Sequence, residues 1–114
     1  MKYHNKKTKI DGIIFDSKLE AKRYTELKML EKNEYIKELK LQPSYDLIPS
    51  FKKGNKIYRK TTYRADFSYY DNKLNKTIIE DTKGFKTPVY MLKKKLFEYI
   101  YPNLTIVEIK KEWL

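Results

Sequence analysis

Asp81 and Lys83, in the run Ile78-Ile79-Glu80-Asp81-Thr82-Lys83-Gly84, have the types and spacing to work on a phosphodiester. A carboxylate there can hold a hard cation, and an ammonium two residues on, on the same face of a strand, can orient or deprotonate the attacking water. The preceding segment, Thr61-Thr62-Tyr63-Arg64-Ala65-Asp66-Phe67-Ser68-Tyr69-Tyr70, alternates aromatic with polar residues and is rich in strand formers, as is 77–82. Between them lies a polar turn, Asp71-Asn72-Lys73-Leu74-Asn75-Lys76. A hairpin closing symmetrically about the Lys73–Leu74 bond sets Asp66 directly opposite Asp81. Opposed strand residues hold their Cβ atoms about 4.5–5.5 Å apart, where like charges repel. Alternation along the strands puts Asp66, Asp81 and Lys83 on one face and Glu80 on the other. A divalent cation turns that repulsion into attraction. Mg²⁺ takes one or two carboxylates and keeps waters and substrate phosphate in its shell, with Mn²⁺ as a substitute.

The rest of the chain must position this pair. The first ten residues read as a basic arm holding the single histidine, His4, followed by an extended piece over 12–15. Asp16 or Ser17 caps a helix over 18–32, and Ser17 with Glu20 has the capping-box spacing. Leu19, Tyr24, Leu27 and Leu30 form its apolar arc, and Glu20 and Arg23 fall inside that arc. Glu20 either completes the capping box or serves a site; Arg23 is a snorkelling stem or an ion-pair partner. Strands follow over 35–42, 45–48 and 56–70, with Pro43 and Pro49 as breaks. Gln42 ends the first of them beside the presumed cleft. The stretch Phe51-Lys52-Lys53-Gly54-Asn55-Lys56 reads as an exposed basic loop, a solvated hairpin tip or a contact for a phosphate backbone. Tyr63, Phe67 and Tyr69 alternate away from the acidic face and are expected in the core. A second helix starts with Thr87 as N-cap and Pro88 in the first turn and runs to about Tyr101. Its apolar face is Val89, Leu92, Leu96, Phe97, Ile100 and Tyr101, with Lys93 inside it, and a closing strand over 104–109 completes the chain.

The segments Phe15-Asp16-Ser17-Lys18-Leu19-Glu20-Ala21, Tyr63-Arg64-Ala65-Asp66-Phe67 and Glu80-Asp81-Thr82-Lys83-Gly84 resemble, in this order, the PD-(D/E)XK nuclease superfamily. They are most similar to a small phage-borne family of unknown function grouped with it. The likeness spans nearly the whole chain; Ala65 stands where the name-giving motif has proline. It implies a restriction-endonuclease-like α/β core: helix, a three- to four-stranded mainly antiparallel or mixed sheet, helix, strand. It also implies roles. Glu20, Asp66, Asp81 and Lys83 would be catalytic, with Mg²⁺ held by Asp66, Asp81, a carbonyl of Thr82 and, directly or through water, Glu20.

Bulk properties fit that reading. A chain of 114 residues makes one domain with a modest core. Its 26 Lys+Arg against 15 Asp+Glu give a net charge of +11, which suits a polyanionic partner bound through its backbone. With no cysteine, disulfides and thiolate metal sites are excluded, and one histidine makes histidine chemistry or a zinc centre improbable. With 3 glycines there is no phosphate-binding loop. No apolar run approaches a membrane span or a signal-peptide core, so a cytoplasmic protein of a bacterial or phage-infected cell is expected. The leading expectation is a Mg²⁺-dependent DNA endonuclease, alone or as a homodimer acting on branched DNA. The alternative is a catalytically inactive nuclease-fold accessory that binds nucleic acid.

Overall fold

A computed structural model of the chain describes residues 7–82, 86–110 and 113. Strands β1 (Thr8–Ile10) and β2 (Ile13–Phe15) precede helix α1 (Lys18–Lys32). Seven strands follow: β3 (Ile36–Leu41), β4 (Ser44–Ile48), β5 (Phe51–Lys53), β6 (Lys56–Tyr58), β7 (Thr61–Arg64), β8 (Phe67–Asp71) and β9 (Lys76–Asp81). Helix α2 (Pro88–Ile100) and strand β10 (Ile106–Glu108) close the chain. The fold is mixed α/β. One four-stranded sheet has the order β10-β9-β8-β3, with β9 and β10 parallel and the other pairs antiparallel. Three two-stranded sheets, β1-β2, β4-β7 and β5-β6, add to the single sheet expected from sequence.

Those extra sheets have one origin. Residues 36–71 form a single long antiparallel hairpin, in which β3 pairs with β8, β4 with β7 and β5 with β6 in succession. The register shifts between Lys37 and Lys40, where Glu38 takes a left-handed φ of 58°, and again between Asp46 and Ile48. Such bulges bend a ribbon and sharpen its twist. The continuous strand expected over 56–70 is therefore three pieces. It breaks at Arg59-Lys60 and again at Ala65-Asp66, where the ribbon leaves the four-stranded sheet opposite Gln42 and Pro43. The expected basic arm also shortens, since β1 already begins at Thr8 and folds onto β2 through an Asp11-Gly12 turn. His4, Lys83 and Gly84 lie outside the described residues.

The β8–β9 hairpin has the register that closure at Lys73–Leu74 requires, from Asp71↔Lys76 to Phe67↔Glu80. Its turn is set locally. Asp71 Oδ1 accepts from the N–H groups of Lys73 and Leu74 at 2.8 and 2.9 Å, and Asn75 takes a left-handed φ of 55°. Buried β9 then sends its side chains to two layers by alternation. Ile78 joins Phe15, Tyr24, Leu27, Phe67 and Tyr69 beneath α1, whereas Ile79 joins Tyr63, Phe97 and Ile106 beneath α2.

Both helices start as their sequences direct: Ser17 Oγ accepts from Glu20 N–H at 3.1 Å and Thr87 Oγ1 from Tyr90 N–H at 3.0 Å. Helix α2 is rotated from the expected face, however. Tyr90 and Phe97 are buried, while Val89 and Leu92 are 62% and 57% exposed and Lys93 is half-buried. Phe97 inserts among Tyr45, Tyr63 and Tyr101, and the Tyr90 hydroxyl reaches Glu108; both contacts turn that side of the helix inward. Among the described residues, no helix is long and apolar enough to cross a membrane.

Helix α1 is fastened to β9 by charge as well as packing. Arg23 grips Glu80 with both arms, Nε to Oε1 at 2.7 Å and Nη2 to Oε2 at 2.6 Å, and the Tyr69 hydroxyl donates to Oε2. Glu80 is 1% exposed, so its charge is tolerable only because the guanidinium fork matches it. Arg23 is thus the ion-pair partner, not a snorkelling stem. Arg23→Met is expected to lower unfolding stability by about 3 kcal/mol, because it strands a buried carboxylate. Arg23→Met/Glu80→Gln should recover much of that loss. Urea denaturation at neutral pH checks both; a single variant within about 0.5 kcal/mol of wild type would show that the pair is not a clamp.

Candidate functional site

The polar cluster sits at the corner where the long hairpin leaves the sheet. Gln42, just past β3, is held at a left-handed φ of 51°, a conformation that costs a non-glycine residue roughly 1 kcal/mol or more. Its N–H donates to the Asp66 carbonyl at 2.9 Å, and Ala65 N–H donates to the Pro43 carbonyl at 3.0 Å, so the corner is bonded on both strands. The β8–β9 ladder stops at Phe67–Glu80, and Asp66 is not paired with Asp81 within it. Asp66 N–H still donates to the Glu80 carbonyl at 3.1 Å, but its carboxylate turns to Thr82. Oδ2 accepts from Thr82 N–H at 2.6 Å and from Thr82 Oγ1 at 2.7 Å. Both bonds fall on one oxygen and leave Oδ1 outside them.

Glu20 approaches the same corner from the first turn of α1. It is 3% exposed, and its Oε2 has no hydrogen-bond partner among the described residues. Ser17 Oγ takes the Glu20 N–H, and the Gln42 amide and the Asp16 backbone favour the charged form of the Glu20 carboxylate. Burial pushes the Glu20 carboxyl up to about 7, and the negative charge of Asp66 adds to the rise, against the smaller opposing effect of the Gln42 amide. A desolvated carboxylate therefore stands within range of the charge of a second one.

Asp81 lies on the α2 side, with none of its surface exposed. Its Oδ2 accepts from the Tyr63 hydroxyl at 2.6 Å, and its carbonyl accepts from Ile109 N–H at 2.8 Å, tying β9 to the chain just past β10. Burial, and then the charges of Asp81 and Asp66, push the Tyr63 hydroxyl far up. Both aspartates also act on Tyr90, whose hydroxyl donates to Glu108 Oε2 at 2.7 Å. Asp66 thus acts by its charge on Glu20 and, together with Asp81, on Tyr63 and Tyr90. Glu108 loses hydration by burial, yet bonds from Lys86, at 2.9 Å, and Tyr90 hold its carboxyl below the usual range.

Of the residues expected from sequence, Glu20, Asp66 and Thr82 converge, with Asp81 adjoining; the place of Lys83 lies outside the described residues. Tyr63 is a correction. It is buried as expected, but on the α2 layer against Asp81, not on the layer of Phe67 and Tyr69. The break at Ala65-Asp66 interrupts the alternation that linked the three. Tyr90 also joins the polar cluster, and no motif spacing marks it. Its one signal was position N3 of a capped helix, which hints at order and not at a site.

The donors at the corner are all oxygen, which suits a hard cation and not a thiophilic one. Among the described residues, no three of His, Cys, Asp or Glu form a ready-made metal cage. A cation using one or two carboxylates plus water has no need of one.

The Glu20 shift has a definite sign. Its carboxyl lies near 4.5 when unfolded and near 7 when folded, so the folded state retains the proton between those values. Its contribution to stability is complete below about 4.5, falls as pH rises through 7 and stays low above. In EDTA, Glu20→Gln is therefore expected to melt roughly 10–20 °C above wild type at pH 8 and within about 5 °C of it at pH 5. An equal difference at both pH values, read by circular dichroism, would contradict the buried-acid assignment.

No curated protein and no solved structure matches this chain. A family model described as "Protein of unknown function (DUF1064)" matches residues 1–113. The chain therefore belongs to the DUF1064 family, whose description leaves the activity open.

Proposed function

We propose that this protein is a metal-dependent phosphodiester hydrolase acting on DNA, with Mg²⁺ as its cation. The observation that carries the reading is Glu20 Oε2, a buried oxygen with no hydrogen-bond partner among the described residues, close enough to Asp66 to feel its charge at a strained chain corner. Perturbed, desolvated carboxylates of this kind cluster at functional sites. The motif resemblance supports the same reading, and so does the net charge of +11.

Asp66 and Asp81 would hold the cation with the Thr82 carbonyl, and Glu20 would act on it directly or through a water. When bound, Mg²⁺ supplies a lowered water pKa and offsets charge developing on the phosphate. The chain's own residues do the positioning. Thr82 fixes the Asp66 carboxylate by two bonds, Tyr63 fixes that of Asp81, and Gln42 places an amide against Glu20. Lys83, two residues past Asp81 in sequence, is assigned to orient the attacking water. Recognition would come from DNA shape, from a second copy or from another subunit. A homodimer would bring two such sites to a branched junction.

A second reading has its own supporting observation. Asp81 is entirely buried and bonded to Tyr63, as a purely structural aspartate would be. On that reading the protein binds nucleic acid without cutting it. The two separate in an assay with labelled linear, single-stranded, flapped and four-way DNA in Mg²⁺. Asp66→Ala and Asp81→Ala are each expected to cut at least about 100-fold more slowly than wild type, with binding in EDTA within about twofold. Either variant cutting at the wild-type rate removes the proposal, whereas a wild type that binds but never cuts supports the second reading.

A further inference from the structure

The end of the long hairpin, beyond the corner that carries the site, has no role in the chemistry above. Strands β5 and β6 pair only with each other among the described residues, and every residue over 48–60 is exposed. Over 49–60 the chain carries Lys52, Lys53, Lys56, Arg59 and Lys60 and no carboxylate. Lys60 reaches Asp46 at 3.6 Å; among the described residues no carboxylate pairs with the other four. Lys53 and Lys56 are direct partners in the register, although like charges placed opposite each other destabilise a ribbon. Beside them on the same face, the Phe51 and Tyr58 rings stack in the open, 4.7 Å apart and within 11° of parallel, with Lys56 Nζ 4.7 Å from the Tyr58 ring. The Cα radius of gyration, 15.9 Å, exceeds the roughly 13 Å of a compact chain this long, as a projecting ribbon requires.

We infer that this ribbon is the arm by which the protein grips a nucleic-acid duplex. A two-stranded ribbon fits the major groove, about 12 Å wide, and cations along it neutralise the flanking phosphates. A polyanion relieves the Lys53–Lys56 repulsion, whereas a second copy of the ribbon would double it; edge lysines normally discourage strand-to-strand association. The partner's identity rests on the DNA reading above, but the grip itself is independent of cleavage.

The test is anisotropy of a labelled duplex in EDTA over a range of salt. The variants are Lys52→Ser/Lys53→Ser/Lys56→Ser and, as a charge-matched control at the far end of the sheet and helix, Lys32→Ser/Lys73→Ser/Lys76→Ser. The ribbon triple should bind at least about tenfold more weakly, with a log K against log salt slope shallower by about 2–3, and the control should change far less. Its melting curve should match wild type, because the altered residues are exposed; where it does not, Lys52→Ser and Lys53→Ser are read singly, each with a slope change near 1. Wild-type binding by the ribbon triple overturns the inference, as does an equal loss in the control. So does a dimer, seen by sedimentation, that the ribbon triple dissociates. Cleavage separates the two proposals. If the ribbon grips DNA while nothing cuts, only the hydrolase reading fails; if the ribbon triple still binds at full affinity and cuts, only this one does.

Discussion

The bidentate hold of Arg23 on Glu80 is the constraint from which the rest of the architecture follows. It fixes the rotation and height of α1 above the central strand at one point, and the apolar residues around it fill the remaining space. Glu20 is one helical turn before Arg23, and Asp81 is the residue after Glu80. Locking the inner pair therefore sets how the outer acids approach the hairpin corner. Helix–strand packing of leucines alone permits small slides, whereas a guanidinium fork on a carboxylate tolerates little.

That rigidity has an electrostatic cost. Glu20 is buried within reach of the charge of Asp66, and its carboxyl rises to about 7, so near neutral pH the site is poised between a proton and a charge. Gln42 adds backbone strain at the same corner, and Thr82 and Tyr63 spend their hydrogen bonds orienting the aspartates. A fold selected for stability alone would have placed a glutamine or leucine at position 20. Backbone strain beside a buried, desolvated carboxylate is what a binding centre for a cation needs before the cation arrives.

The sequence made some of this readable and hid the rest, for physical reasons. The β8–β9 register was legible because Asp71 and Asn75 dictate a local turn, and local turns fix register. Both helix starts were legible from Ser17 and from Thr87-Pro88. Glu20 and Arg23 stood out as charged residues within an apolar arc. The long hairpin over 36–71 was not legible, because its pairing is non-local and its register slips at bulges that no local residue type announces. Tyr63 was assigned to the wrong layer for the same reason: period-two alternation holds only while a strand is unbroken. Helix α2 was rotated because hydrophobicity alone ranks Val89 above Tyr90, whereas a tyrosine that can bury its ring and bond Glu108 outcompetes a small aliphatic.

The central claim is that the Glu20–Asp66 corner is tense because it is built for a hard cation. Calorimetric titration of Mn²⁺ at pH 6.5 in buffers of different ionisation enthalpy tests it most directly, because it counts the protons displaced by binding. With the Glu20 carboxyl near 7, wild type should release between roughly one half and one proton per ion bound, and Glu20→Gln essentially none. Absence of binding at millimolar Mn²⁺, or binding with no proton release in wild type, would contradict the account.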